Sequence, residues 1–268
     1  MSLNLDTRQR AMLAAMGVRV WQPPSPGPSP EPPPAPTPRS LAPPPISIPA
    51  ARPSPAPMTL KALPTGLADM DWSALENAAK QCQACGLCET RQQSVFAHGN
   101  TLVSPARTDW LIVTDPPSEE EERSGKLFVN TDGELLDAML MALGLSRQSA
   151  TAHGHVTLVP VLKCRVPDQR NPHAQELQQC RTYLEHQVAL LQPQVIVAMG
   201  RWAVQSVLST TSDELASQPL GKLRGQVHRF ANTPLVVTYH PRSLLRTPLD
   251  KAKAWADLCL AHSLTRRP

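Results

Sequence analysis

A chain of 268 residues with a formal charge of +4 allows one ordinary domain plus an extension, and excludes a wholly basic nucleic-acid coat, so any DNA contact must come from local patches. Of its 30 prolines, 17 fall between Pro23 and Pro57, so the first quarter cannot build a core, whereas the remainder is long enough to bury one. No apolar run reaches the roughly 18 residues of a membrane-spanning helix, and MSLNLDTRQR lacks the apolar centre of a signal peptide; the expected setting is cytoplasmic, where cysteines serve as metal ligands rather than disulfides.

In chain order, residues 1–22 form a short amphipathic segment: Asp6 is a plausible cap, Met12, Leu13 and Met16 share one helical face, and Gly17 ends it before Val18, Val20 and Trp21. Residues 23–66 are a Pro-rich linker, expected to be disordered and extended at roughly 3.1 Å per residue. A short apolar-faced peptide on a long tether reads as a docking element for a partner. The folded domain is expected over 67–268. DWSALENAAKQC is a helix that delivers Cys82, and 108–115 (TDWLIVTD) is a buried strand. Residues 131–145 follow as a helix with Leu135, Leu136, Met139, Leu140 and Leu143 on its apolar side. A second strand (155–162), a long helix (173–193), a third strand (194–200) running into a helix at Arg201, a fourth strand (234–240) and a last helix (250–263) complete the pattern. Short apolar strands alternating with helices predict an α/β fold, a small four-stranded parallel sheet between helices. Ligands bind at the carboxyl ends of such strands, which singles out Asp115, the loop from Lys163 onward and His240.

Four cysteines frame this domain: Cys82 and Cys85 two residues apart in QCQACGLC, Cys164 in LKCRVP and Cys180 in LQQCRTY. The tight pair can turn both thiolates onto one centre, with the other two brought in by the fold. Zinc more often shows a second tight pair; the uneven spacing suits a 4Fe-4S cluster, although spacing alone leaves zinc open.

Several stretches together resemble one family, the iron-sulfur (family 4) uracil-DNA glycosylases: QCQACGLCETR, EEEERSGKLFV, LKCRVPDQRNP, GKLRG and HPRSLLR, spread over residues 75–262. The resemblance implies a 4Fe-4S cluster on Cys82, Cys85, Cys164 and Cys180, with Cys88 beside it and Cys259 in the core. It also implies hydrolysis of the bond between uracil and deoxyribose after the nucleotide is flipped from the duplex. His240 matches the histidine that donates to the base, Asp115 matches the acid of the first motif one methylene shorter, and Phe128 matches the aromatic that stacks on uracil. Two positions depart from the pattern. Pro116 stands where the family has a glycine and lacks a backbone N–H. Pro160 stands where the family has an asparagine that reads the uracil edge, and can offer no side-chain amide; Asn130 is the neighbour best suited to substitute. Such losses of pairing reduce discrimination by on the order of 10⁴, so reduced or absent hydrolysis is expected.

The same resemblance lays Lys163, Arg165, Arg170, Lys222, Arg224, Arg242, Ser243 and Arg246 along the DNA-facing side, where phosphate contacts give affinity without sequence information. RQRAMLAAMGVRVWQ is similar, more locally, to the start of the psi subunit of the bacterial DNA polymerase III clamp loader, which implies docking on a clamp-loader or other replication protein. Two readings follow: a DNA-binding uracil-DNA glycosylase, and a non-catalytic DNA-binding adaptor of the replication machinery that kept the fold and the cluster.

Overall fold

In the computed structural model, which describes residues 61–64, 66–99, 108–148, 154–209 and 212–265, the four apolar runs form the centre of the sheet. They are β2 (Trp110–Thr114), β3 (Val156–Pro160), β4 (Val195–Met199) and β6 (Thr233–Thr238). All are mutually parallel where they pair, and β2, β3 and β4 are buried at every position, as a sheet covered on both faces demands. The sheet as a whole corrects the expectation of four parallel strands: it has six, in the order β1-β3-β2-β4-β6-β5, and is mixed. The additions are antiparallel edges, β1 (His98–Gly99) on β3 and β5 (Val227–Phe230) on β6. A two-residue turn at Ala231 and Asn232, both with positive φ (46° and 65°), closes the β5–β6 hairpin, the geometry that matches strand twist.

Helices cover both faces. On one side, α5 (Ala174–Leu191) and α6 (Arg201–Leu208) pack Leu177, Leu184, Val188, Val204 and Val207 against Leu111, Val113, Ile196, Ala198 and Val237. On the other, α4 (Thr131–Met141) and α10 (Lys251–Thr265) pack Leu136, Leu140, Leu258 and Ala261 against Trp110, Ile112, Leu158, Val197 and Val236. Successive strand residues therefore serve opposite cores, as the period of two requires. This alternation decides where each side chain at the strand ends points.

A third cluster joins α1 (Trp72–Gln81) to α5 through Leu75, Ala79, Phe96 and Tyr183. The short helices α2 (Leu87–Thr90), α3 (Glu119–Ser124), α7 (Asp213–Ser217), α8 (Leu220–Leu223) and α9 (Pro241–Arg246) turn the connections. The acidic run is thus a helix, α3, opened by a capping box. Ser118 Oγ accepts from the Glu121 N–H at 3.3 Å, and Glu121 Oε2 accepts from the Ser118 N–H at 2.8 Å. The proposed docking segment 1–22 and residues 23–60 of the linker lie outside the described residues. The described end of the linker packs on the domain: Lys61 N donates to Ala84 O at 3.1 Å, and Leu63 packs against the third cluster. No described helix is long and apolar enough to cross a membrane.

Candidate active site and thiol centre

The carboxyl ends of the parallel strands gather Thr114 and Asp115 after β2, Pro160 at the end of β3, Gly200 after β4 and His240 after β6. Thr114 and Pro160 are register partners across β2 and β3. Thr114, Pro160 and His240 share strand parity with the core that contains Phe128; Asp115 has the opposite parity.

His240 caps α9. Its Nδ1 accepts from the Arg242 N–H at 3.1 Å, which leaves the proton on Nε2, and Nε2 donates to Thr114 Oγ1 at 3.1 Å. Burial, helped by the Arg242 charge, pushes the imidazole down to about 4, so it is neutral at neutral pH. The Phe128 ring stacks on it with centroids 5.2 Å apart and planes 19° apart.

Phe128 holds a left-handed backbone (φ 55°), which a bulky residue adopts only when its surroundings compel it. Three neighbours do so. Glu121 Oε1 accepts the Phe128 N–H at 2.6 Å, and Arg147 Nη2 donates to Phe128 O at 2.9 Å while its Nη1 holds Leu127 O at 2.8 Å. Gly133 allows the loop to close, because a Cβ there would lie 2.0 Å from Phe128 O. Glu121, Arg147 and Thr114 were not singled out from sequence; a capping box before the aromatic was the legible signal for the first.

Asp115 faces away from this pair. Its Oδ1 accepts the Trp202 and Ala203 N–H groups at 2.8 and 3.0 Å, closing the first turn of α6. Gly200 (φ 104°) makes room: a Cβ there would sit 2.3 Å from Asp115 Oδ2. Burial raises the carboxyl to about 6 against the pull of those N–H groups. The Asn130 amide is spent on Glu120, on an exposed edge. Pro160, buried on the same face of the sheet as Thr114, offers only its carbonyl, and that accepts from Lys163 Nζ at 2.8 Å.

The basic residues divide. Lys163 is 2% exposed, its ammonium on Pro160 O and 5.7 Å from the Phe96 ring centre, so it is an internal tie. Arg165 pairs with Glu122 at 2.9 Å, Arg170 with both oxygens of Glu176 at 2.9 and 2.6 Å, and Arg224 with both oxygens of Asp257 at 3.0 and 2.9 Å. Arg242 reaches Asp132 Oδ2 at 3.2 Å yet keeps a 52% exposed side chain. Lys222 and Arg246 are exposed, and Ser243 lies on the first turn of α9. Of the seven cations predicted to face DNA, Lys222, Arg242 and Arg246, on α8 and α9, are therefore the exposed ones.

Cys82, Cys85, Cys88, Cys164 and Cys180 line one cavity together with Leu63, Leu87 and Leu162 and with Lys163, Gln179 and Tyr183. Cys259 lies apart, exposed on α10 rather than in the core. Burial holds the Cys85 and Cys180 thiols up at about 11 and Cys164 at about 12, with the neighbouring thiols adding to the shift. Donors already aim at two sulfurs: Arg91 Nη1 lies 3.4 Å from Cys164 Sγ, and the Lys163 N–H 3.3 Å from Cys180 Sγ. Among the described residues no group of three or more His, Cys, Asp or Glu is arranged around a single metal ion, whereas the thiols ring a shared space. This donor set suits a group bonded to several thiolates from its periphery; deprotonating buried thiols together requires a positive centre between them.

Comparison with known proteins agrees with this geometry. A family profile of the uracil DNA glycosylase superfamily matches residues 101–259. The chain is 30% identical over 195 residues to the Type-4 uracil-DNA glycosylase of Pyrobaculum aerophilum, covering 71% of this chain and 93% of that protein. It is 31% identical over 168 residues to the Type-4 uracil-DNA glycosylase of Thermotoga maritima, covering 62% and 79%. A Type-5 uracil-DNA glycosylase of Pyrobaculum aerophilum is 26% identical over 137 residues, 48% of this chain and 58% of that one. With more than half of its length inside the family profile, the chain belongs to the uracil-DNA glycosylase superfamily.

Proposed function

We propose that this protein is an iron-sulfur uracil-DNA glycosylase-type repair protein whose hydrolysis of the N-glycosidic bond is reduced by the substitution at Pro160. The observation that carries this reading is the pairing of a neutral Nε2–H donor, His240, with an aromatic ring, Phe128, at the carboxyl end of β6. As the bond between uracil and deoxyribose breaks, the electron pair leaves with the base and positive charge grows on the sugar, which water then attacks. A neutral imidazole whose proton is fixed on Nε2 stabilises the departing anion by donating to its carbonyl, without first giving up a charge of its own. Asp115 acts indirectly in this reading, holding the start of α6 beneath the pocket floor. Pro160 leaves the opposite base edge unread, so a flipped uracil is held from one side only.

Cys82, Cys85, Cys164 and Cys180 would hold a 4Fe-4S cluster, with Cys88 beside them. When bound, the cluster supplies a rigid tie between the end of α1 and the elements that carry Cys164 and Cys180. Lys222, Arg242 and Arg246 would meet phosphates in this reading.

The test is incubation with a duplex that carries a single uracil, reading abasic sites. Slow excision by the natural chain, at least tenfold faster excision by Pro160→Asn and none by His240→Ala are expected. Excision by the natural chain as fast as by Pro160→Asn would overturn the role given to Pro160. The adaptor reading is favoured by the same proline: if Pro160→Asn forms no abasic sites while DNA binding persists, binding without hydrolysis is the function. The clamp-loader partner rests on residues outside those described, and the relatives reported above are glycosylases.

A further inference from the structure

Hydrolysis as described gives no work to Thr114, yet its side chain holds the most important proton in the pocket. Because His240 Nδ1 is occupied by the Arg242 N–H, the one proton on the ring points at Thr114 Oγ1, 3.1 Å away. That is the proton a base carbonyl must take. Thr114 is 2% exposed at the end of a central strand, so its hydroxyl cannot swing out to solvent. Two further contacts hold the same arrangement closed. The Phe128 ring, 2% exposed, lies against the imidazole at 5.2 Å, and Arg242 ties the α9 turn to Asp132 of α4 at 3.2 Å. Pro160, the register partner of Thr114, places no side-chain donor opposite to offset the loss.

Resting on the reading above, we propose that Thr114 is a specificity-determining residue: its hydroxyl occupies the Nε2 proton of His240, and a base enters the pocket only by displacing it. The hydroxyl is an intramolecular competitor that every entering base meets. A base lacking a carbonyl acceptor toward Nε2 leaves that contact intact and stays out. A pyrimidine carbonyl can replace the hydroxyl, and does so best as negative charge grows on it during bond breaking. The competition filters for carbonyl-bearing leaving groups and weakens ground-state binding. Removing a neutral hydrogen bond of this kind is expected to raise affinity for the base about three- to tenfold.

The test titrates free uracil into the ¹⁵N-labelled full chain and follows the imidazole signals of His240, comparing the natural protein with Thr114→Ala, Thr114→Val and Thr114→Ser. Thr114→Ala is expected to bind uracil about three- to tenfold more tightly and to lose the hydrogen-bonded Nε2–H signal, while Thr114→Ser matches the natural chain in both. Thr114→Val keeps the volume and supplies the same comparison if the alanine variant does not fold. Affinity unchanged or lowered in a folded Thr114→Ala or Thr114→Val variant, or a Thr114→Ser variant that behaves like alanine, would overturn the proposal. Failure of the glycosylase reading shows separately, as absent abasic sites with Pro160→Asn, and leaves the uracil titration free to give either result.

Discussion

The thiol cavity and the His240–Phe128 pair lie in one domain, and their surroundings differ. Around the cavity the structure gathers the tight Cys82–Cys85 pair, Cys164 and Cys180, with N–H donors aimed at two of the sulfurs. At the strand ends, His240 and the Phe128 ring are stacked, Thr114 Oγ1 lies on the His240 Nε2, and Pro160, the register partner of Thr114, carries no side-chain donor or acceptor. A cluster bonded to these thiols, as proposed above, would cross-link the end of α1 to the elements that carry Cys164 and Cys180. Thr114 and Pro160 are both buried at the ends of central strands.

The largest effect expected is therefore on the cavity side. If the proposed cluster is bound, Cys164→Ser should remove its brown colour, lower the iron content and unfold the region around α1 and α5, costing several kcal/mol because binding at such a centre is also folding free energy. Visible absorption and thermal melting check this. An iron-replete, equally stable variant would break the contrast between the two regions. At the strand ends, His240→Ala should lower whatever excision the Pro160→Asn chain shows by about 10²-fold or more, the usual cost of an oxyanion donor, with a loss of stability on the order of 1 kcal/mol for the missing α9 cap.

How much of this was legible in the sequence follows the same division. The parallel strands were readable because continuous apolar runs admit no other use, and the cysteines, His240 and Phe128 stand in distinctive motifs. The edge strands were not: β1 has two residues, and β5 has four, only two of them apolar and only Phe230 buried, with a hairpin turn that lacks glycine, so neither carries a continuous apolar run. Lys163 reads as a surface cation beside a cysteine, and only the fold shows its ammonium turned in to Pro160 O. Asp115 is the instructive case. Motif position pairs it with His240, whereas strand parity sets Thr114 and Asp115 on opposite faces; parity was in the sequence and predicts the observed bonds to α6.

That opposition can be sharpened by pH. Asp115 is raised from 3.8 to about 6, so the folded chain binds its proton first and stability rises as pH falls through that window. His240 is lowered from 6.5 to about 4, so the unfolded chain binds its proton first and stability falls as pH falls between those values. Over roughly pH 4 to 6 the two slopes oppose one another. Relative to the natural chain, Asp115→Asn should lose stability more steeply on acidification, and His240→Gln less steeply. Urea unfolding at several pH values measures both, and parallel curves for all three proteins would show that neither residue titrates as its burial dictates.

The smallest effect concerns what builds the pocket wall. Ser118→Ala removes the hydroxyl that caps α3 but leaves the Glu121 carboxylate on the Ser118 and Phe128 N–H groups. The cost should be about 1 kcal/mol, as for an ordinary cap, with uracil affinity unchanged. Glu121→Ala should do more than uncap, because it strands the buried Phe128 N–H and releases a left-handed residue from one of its three restraints. If both variants lost only the cap energy and left the Phe128–His240 contact intact, the conformation of Phe128 would be set by Arg147 and Gly133 alone. The wall of the base pocket would then be independent of the acidic helix that precedes it.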